Sequence, residues 1–245
     1  MSIDTLGLRE QKKRETRQAI SDHATQLFLE RGFDRTTIAD IAAAARVARM
    51  TVTNYFPRKE DLAFDQHVAF VAGLAEAVAG REPGESALEA VRRAYLAALD
   101  RRDPVIGFGG RDVARMVADS PTLVARLRDL HDQREQALAA HLIAEPPTPQ
   151  EVPTPQETST SSQEAPTARP ATSQEPRPAA GDERDRIAAA AVAAQLAAAD
   201  RLLLREAQRR TLAGEPADAV ATALAETARQ VFALLEPAIG NHARR

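Results

Sequence analysis

The chain has 245 residues, enough for one large or two small domains, with 44% hydrophobic but only 4% aromatic residues and a net charge of −3. It holds no Cys, which excludes disulfides and thiolate metal sites and suits a reducing cytoplasm, the location expected for it. The N-terminal MSIDTLGLREQKK lacks the apolar core of a signal peptide, and no run approaches the ~20 apolar residues of a membrane span, so no membrane partner is expected.

In chain order, residues 1–8 are expected to be disordered. A helix then runs from Leu8 or Arg14 to Arg31, with Ile20, Ala24, Leu27 and Phe28 as its inward stripe, Gly32 just past its end and Phe33 closing over it. Arg9, Lys12, Lys13 and Arg14 form a basic extension, either a reach toward nucleic-acid phosphates or a solvated, frayed end. Two short helical patterns follow in TTIADIAAAARVARMTVTNYF, residues 36–56. The first carries Ile38, Ile41 and Ala45 on one face, with Thr37 as N-cap and Asp40 completing a capping box. A break at Arg46-Val47-Ala48 leads to the second, Arg49 to Tyr55. Here Val52 and Phe56 face one way, while Met50 and Asn54 face the other, flanked by Thr51, Thr53 and Tyr55. Pro57 stops the helix. Two short helices and a tight turn make a helix-turn-helix, although periodicity alone is met at least as well by two small helices in any helical domain.

Further helices are expected over 59–80 (stripe Phe64, Val68, Val71, Ala75), 85–101 (Leu88, Val91, Tyr95, Leu99), 105–118 and 121–144, the last started by Ser120-Pro121. From Glu145 to Gly181 the composition changes. Nine of the chain's 15 prolines fall there, PTPQE occurs twice and no aromatic is present, so an insertion disordered over 145–181 is expected. Two last helices are expected over 182–212 and 217–235, with Pro237 ending the second and a basic tail from His242 to Arg245. The charge is uneven along this order. Arg9 to Glu60 holds 11 Lys/Arg against 7 Asp/Glu, a surplus of +4 that leaves −7 on the remainder. A basic segment on an acidic body fits nucleic-acid binding, and a solvated surface fits it too.

The ordered elements LF…ERGF, TT-I-x-x-IA, V-A-R-x-T and YFP-x-KEDL, covering Arg14 to Leu62 without a gap, resemble the DNA-binding domain of the tetracycline-repressor (TetR) family. The resemblance implies an all-α fold: an N-terminal three-helix helix-turn-helix head at 9–58 and a helical ligand-binding and dimerisation body at 59–240, interrupted by the insertion. It implies a ligand-responsive homodimeric repressor, not an enzyme, with no cofactor. Its partners would be a double-stranded, near-palindromic operator with half-sites about one turn (~34 Å) apart, a second copy paired through 182–212 and 217–235, and a small-molecule effector. Asn54 and Met50 would meet base edges within a contact set of Arg49, Met50, Thr51, Thr53 and Asn54, while Thr36, Thr37, Tyr55 and Lys59 would hold phosphates. Arg46 stands where the family usually has Gly, and Ala48 where it usually has a capping Ser or Thr. These departures motivate the alternative of a helical interaction protein whose head no longer binds DNA specifically.

An effector pocket is expected among Phe64, His67, Phe70, Tyr95, Phe108, Arg111 and Met116. The five His, at 23, 67, 131, 141 and 242, make no metal-binding pair, so no metal site is expected. Gly107-Phe-Gly-Gly-Arg111 lacks the Lys-Ser/Thr of a phosphate loop and reads as a helix start or kink.

Overall fold

A computed structural model describes residues 3–145 and 180–242 of the chain. The elements are α1 (Ile3–Arg31), α2 (Ile38–Ala44), α3 (Arg49–Tyr55), α4 (Glu60–Ala63), α5 (His67–Ala79), α6 (Ala87–Asp100), a 3-10 turn (Pro104–Ile106), α7 (Arg111–Asp119), α8 (Pro121–Ala144), α9 (Ala180–Ala213) and α10 (Ala217–Ile239). The fold is all-α, as expected. The expected insertion at 145–181, apart from its end residues, and the tail beyond His242 lie outside the described residues.

Helix starts follow local chemistry. The Thr37 hydroxyl accepts the Asp40 amide at 3.2 Å while the Asp40 carboxylate accepts the Thr37 amide at 2.9 Å. Ser86 and Glu89 repeat this box at α6, and Ser120 caps α8 ahead of Pro121.

Two large apolar cores and a small third cluster of Phe70, Leu130 and Leu204 result. Ile20, Phe28 and Phe33 pack with Ile41, Val52, Phe56 and Leu62, and this cluster extends into Val117 of α7 and Leu123 of α8. Around α6, α9 and α10 the second core joins Leu88, Leu99, Leu138, Leu196, Leu203, Leu224 and Phe232. Ala193 and Ala207 are fully buried there, so the helices approach closely through small side chains.

Several expectations need correction. α1 starts at Ile3, so the segment expected to be disordered is helical from there, although Gly7 opposes this at roughly 1 kcal/mol. The single helix expected over 59–80 is two, broken at Phe64, Asp65 and Gln66. The break is held from outside. Arg17 donates to the Asp65 carbonyl at 3.1 Å, and Ser21 donates to the Asp65 carboxylate at 2.9 Å. It also resets the register: Phe70, Leu74 and Val78 are buried, while Val68 is 67% exposed. The helix expected over 105–118 is likewise a 3-10 turn and then α7, separated by Gly107 and Gly110 at φ 110° and 88°. α10 continues through Pro237 to Ile239. The carbonyl that Pro237 leaves unbonded belongs to exposed Ala233, where water can serve it. Finally, Glu183–Ala213 is long and apolar enough to cross a membrane by length and composition, contrary to expectation. Half of its apolar window is buried, as in a core helix.

Candidate nucleic-acid interface and adjoining cavity

α3 is two-faced as its sequence predicts. Val52 and Phe56 are 0% and 1% exposed and seat the helix, while Met50 is 73% exposed and Arg49, Thr53 and Asn54 are open to solvent. Thr51 and Tyr55 lie half-buried at the flanks. The Thr53 hydroxyl donates back to the Met50 carbonyl at 3.1 Å, so it retains only acceptor capacity for a partner. The seat is reinforced by Arg17, whose guanidinium lies 4.1 Å from the centre of the Phe56 ring and donates to the Tyr55 carbonyl at 3.0 Å.

Two residues expected to hold phosphates are engaged inside the head. Thr36 is 1% exposed and its hydroxyl donates to the Gly32 carbonyl at 2.9 Å, so it closes the end of α1 rather than facing outward. The Lys59 ammonium donates to the carbonyls of Phe33 and Thr36 at 3.0 and 3.1 Å and lies 4.1 Å from the centre of the Phe33 ring. Two of its three protons are thereby committed. Thr37 is exposed, with its hydroxyl serving the capping box. Hydrogen bonds from Thr37 hold the Asp40 carboxyl below its ordinary pKa, so the box stays charged.

The head is tied to the rest by buried polar contacts. Arg126 of α8 pairs with Asp61 of α4 at 2.7 Å, both side chains under a tenth exposed. Ser120 donates to Asp34 at 3.2 Å. Beside this junction, between α5, α7, α8 and α9, is a cavity of about 250 Å³. Of the expected lining residues, Phe64, His67, Phe70 and Met116 are there. Tyr95, Phe108 and Arg111 are not. Tyr95 is in the second core with its ring 6.3 Å from Phe232, Phe108 packs on that core too, and Arg111 is exposed beside Gly214. The sequence reading missed Val113, Leu127, Leu130, Leu204 and Gln208. A signal existed in the glycines: Gly107, Gly109 and Gly110 all border the cavity, and a Cβ on Gly107 would come within 2.8 Å of Ala207.

Residues 20–65 match the model of the bacterial regulatory proteins, tetR family. The head is therefore similar to the DNA-binding head of that family. The chain is 33% identical over 143 residues to the HTH-type transcriptional regulator TcmR of Streptomyces glaucescens, covering 56% of this chain and 63% of that relative. The chain thus spans less than two thirds of that curated relative. Among solved structures, a TetR-family regulator from Streptomyces coelicolor A3 is 22% identical, with 89% of this chain and 94% of that one covered at a TM-score of 0.41. NalD, the secondary repressor of the MexAB-OprM pump in Pseudomonas aeruginosa, is 17% identical, with 90% and 97% covered at a TM-score of 0.42.

The two departures of this TetR-type head are accommodated without loss of the turn. Val47 donates to the Ala42 carbonyl at 3.0 Å and Arg46 to the Ala43 carbonyl at 3.2 Å, the paired bonds of a Schellman turn. Arg46 takes the left-handed conformation there, at φ 55°, where Gly would be unstrained. Ala48 sits at the N-cap of α3 in extended geometry and supplies no side-chain acceptor.

Proposed function

We propose that the chain is a DNA-binding transcriptional regulator, acting as a ligand-responsive homodimeric repressor through α3. One observation carries this reading: α3 is anchored by buried Val52 and Phe56 and turns Arg49, Met50, Thr53 and Asn54 out as an uninterrupted exposed face. Asn54 would pair with an adenine edge and Met50 would meet a thymine methyl. Arg49, Thr37, Thr51 and Tyr55 would flank them toward the backbone, with Thr53 offering an acceptor. Thr36 and Lys59 support the head from within. The name of the TcmR relative supports a regulator, and the intact turn at Arg46 removes the main motive for a head that has lost DNA binding.

The body, proposed as 59–240 with the head at 9–58, would pair with a second copy through α9 and α10. Their outer faces leave Ile187, Leu202 and Leu234 at 61%, 50% and 79% exposed. An effector in the cavity would press on Phe64, Asp65 and Gln66. That is the break whose Asp65 carbonyl shares the Arg17 guanidinium with the end of α3. An effector that favours a dimer spacing unable to fit the operator must lower operator affinity by the same coupling free energy, on the order of 1–3 kcal/mol.

The test is selection of bound fragments from the source genome by the purified protein at two salt concentrations. A short two-fold-symmetric sequence that survives the higher salt is expected. Binding that is sequence-blind and lost with salt would instead return the adaptor reading.

A further inference from the structure

α1 outruns the head it belongs to. Its buried residues begin at Ile20, whereas residues 7–15 are exposed on every side of the helix. The sequence leaves Arg9, Lys12, Lys13 and Arg14 as either a frayed end or a reach toward phosphates. In the structure this stretch is a regular helix continuous with the packed part of α1, so its side chains project in set directions. Local bonds support it. The Gln11 amide donates to the Glu15 carboxylate at 2.9 Å, and the Thr16 hydroxyl donates to the Lys12 carbonyl at 2.8 Å.

Arg17 shows which way the arm faces. Its guanidinium donates to the Tyr55 carbonyl at the end of α3, next in sequence to Asn54, so Arg17 marks the side of α1 that meets α3. Arg14 stands three residues before it, Lys13 four and Arg9 eight, spacings that keep all three on that side. Lys12 falls on the far side. Three cations thus stand against one carboxylate, Glu10, along this row. Among the described residues Arg9, Lys13 and Arg14 make no ion pair, and all three are exposed. From Arg17 to Arg9 the helix rises about 12 Å, the length of roughly three to four base pairs.

We infer that the arm is a second DNA-contacting element, laying Arg9, Lys13 and Arg14 along the duplex phosphates that flank the half-site at the Asn54 end of α3. Charge names the occupant: a row of unpaired cations, continuous with the exposed face of α3, matches a row of phosphates. Such contacts carry no base information, so the arm adds affinity and footprint length without choosing a sequence. This rests on the DNA-binding reading of α3 and adds where else the protein grips the duplex.

The test uses the full chain with two duplexes, a selected operator fragment and an unrelated sequence of equal length. Binding is followed by fluorescence anisotropy across a salt series. In the triple variant Arg9→Gln, Lys13→Gln, Arg14→Gln the slope of log affinity against log salt should become shallower by roughly 2–3 per protomer, equally on both duplexes. The hydroxyl-radical footprint on the operator should shorten by about three to four base pairs at each half-site. Gln keeps the helix propensity of these exposed positions, so the thermal melt should be unchanged. The single variants Lys13→Gln and Lys12→Gln remove the same charge from neighbouring positions, and only Lys13→Gln should flatten the slope. Equal slopes for the two single variants would show a general field instead of contacts and overturn the inference. A triple variant that keeps the wild-type slope and footprint on an operator the chain selects would overturn it too, and leave the regulator reading intact. Sequence-blind binding whose salt slope still falls in the triple variant would sink the regulator reading and leave the arm standing. A chain that binds neither duplex overturns both.

Discussion

At Arg46 a side chain occupies a backbone conformation that suits glycine. The left-handed geometry costs on the order of 1 kcal/mol and is imposed by the two amide bonds that close the turn. Arg46→Gly should therefore raise unfolding free energy by about 0.5–1 kcal/mol in a denaturant titration, with α3 unchanged in spectra. Two other residues of the head part company by location. Asn54 is exposed on the free face, so Asn54→Ala should relax sequence choice at one base pair, costing about 1–3 kcal/mol on the preferred site and little on others. Lys59 is committed to two carbonyls and a ring, so Lys59→Ala should lower the stability of the head by about 1–3 kcal/mol in the same titration. An unchanged midpoint for Lys59→Ala would show its ammonium to be free for phosphate after all.

Among the helices, the short α4 is the joint between head and body. It is fixed to α8 by the buried pair of Asp61 and Arg126 and followed by a break stapled to α1 through Asp65. A lone buried carboxylate is expensive, so Arg126→Ala should cost about 3–5 kcal/mol. The apolar double replacement Asp61→Leu, Arg126→Met should recover most of that loss in a thermal melt. Failure of the double replacement to recover stability would mean that the pair does more than neutralise itself. The break also explains why the expected 59–80 helix was misread. Its residues favour a helix throughout, and only Arg17 and Ser21, more than forty residues earlier, supply the partners that reward leaving it.

For the whole molecule, buried charge sets a pH dependence. His131 packs edge-on to Phe70 with ring centroids 5.1 Å apart, facing Arg134 on its own helix and Arg201 and Arg205 on α9. Its pKa is depressed in the folded state, so the unfolded chain takes up the proton first. The stability it contributes is present above pH 6.5 and is lost as pH falls toward about 4, at no more than about 1.4 kcal/mol per pH unit. Burial shifts Asp200, paired with Arg134, in the opposite direction from its ordinary value, which favours the fold as pH falls. The difference between wild type and His131→Phe isolates the histidine: on going from pH 7.5 to pH 5 the wild type should lose more melting temperature than the variant. A constant difference across that range would place the imidazole in water.

What the sequence determined by itself was whatever depends on neighbours within one helix turn or two. The period of Ile20, Ala24 and Phe28, the caps at Thr37 and Ser120, and the two faces of α3 were legible because spacing and capping are local. The head's resemblance to the TetR family was legible for the same reason, in a continuous run of motifs. What only the tertiary structure decided were matters set by distant partners. These include the retreat of Thr36 and Lys59 into the head, the break after α4, the placement of Tyr95 in the second core, and the meeting of α7, α8 and α9 around a cavity beside a separate basic groove. Each turns on which carbonyl, carboxylate or ring lies within about 3–4 Å in space, and helical periodicity along the chain does not encode that.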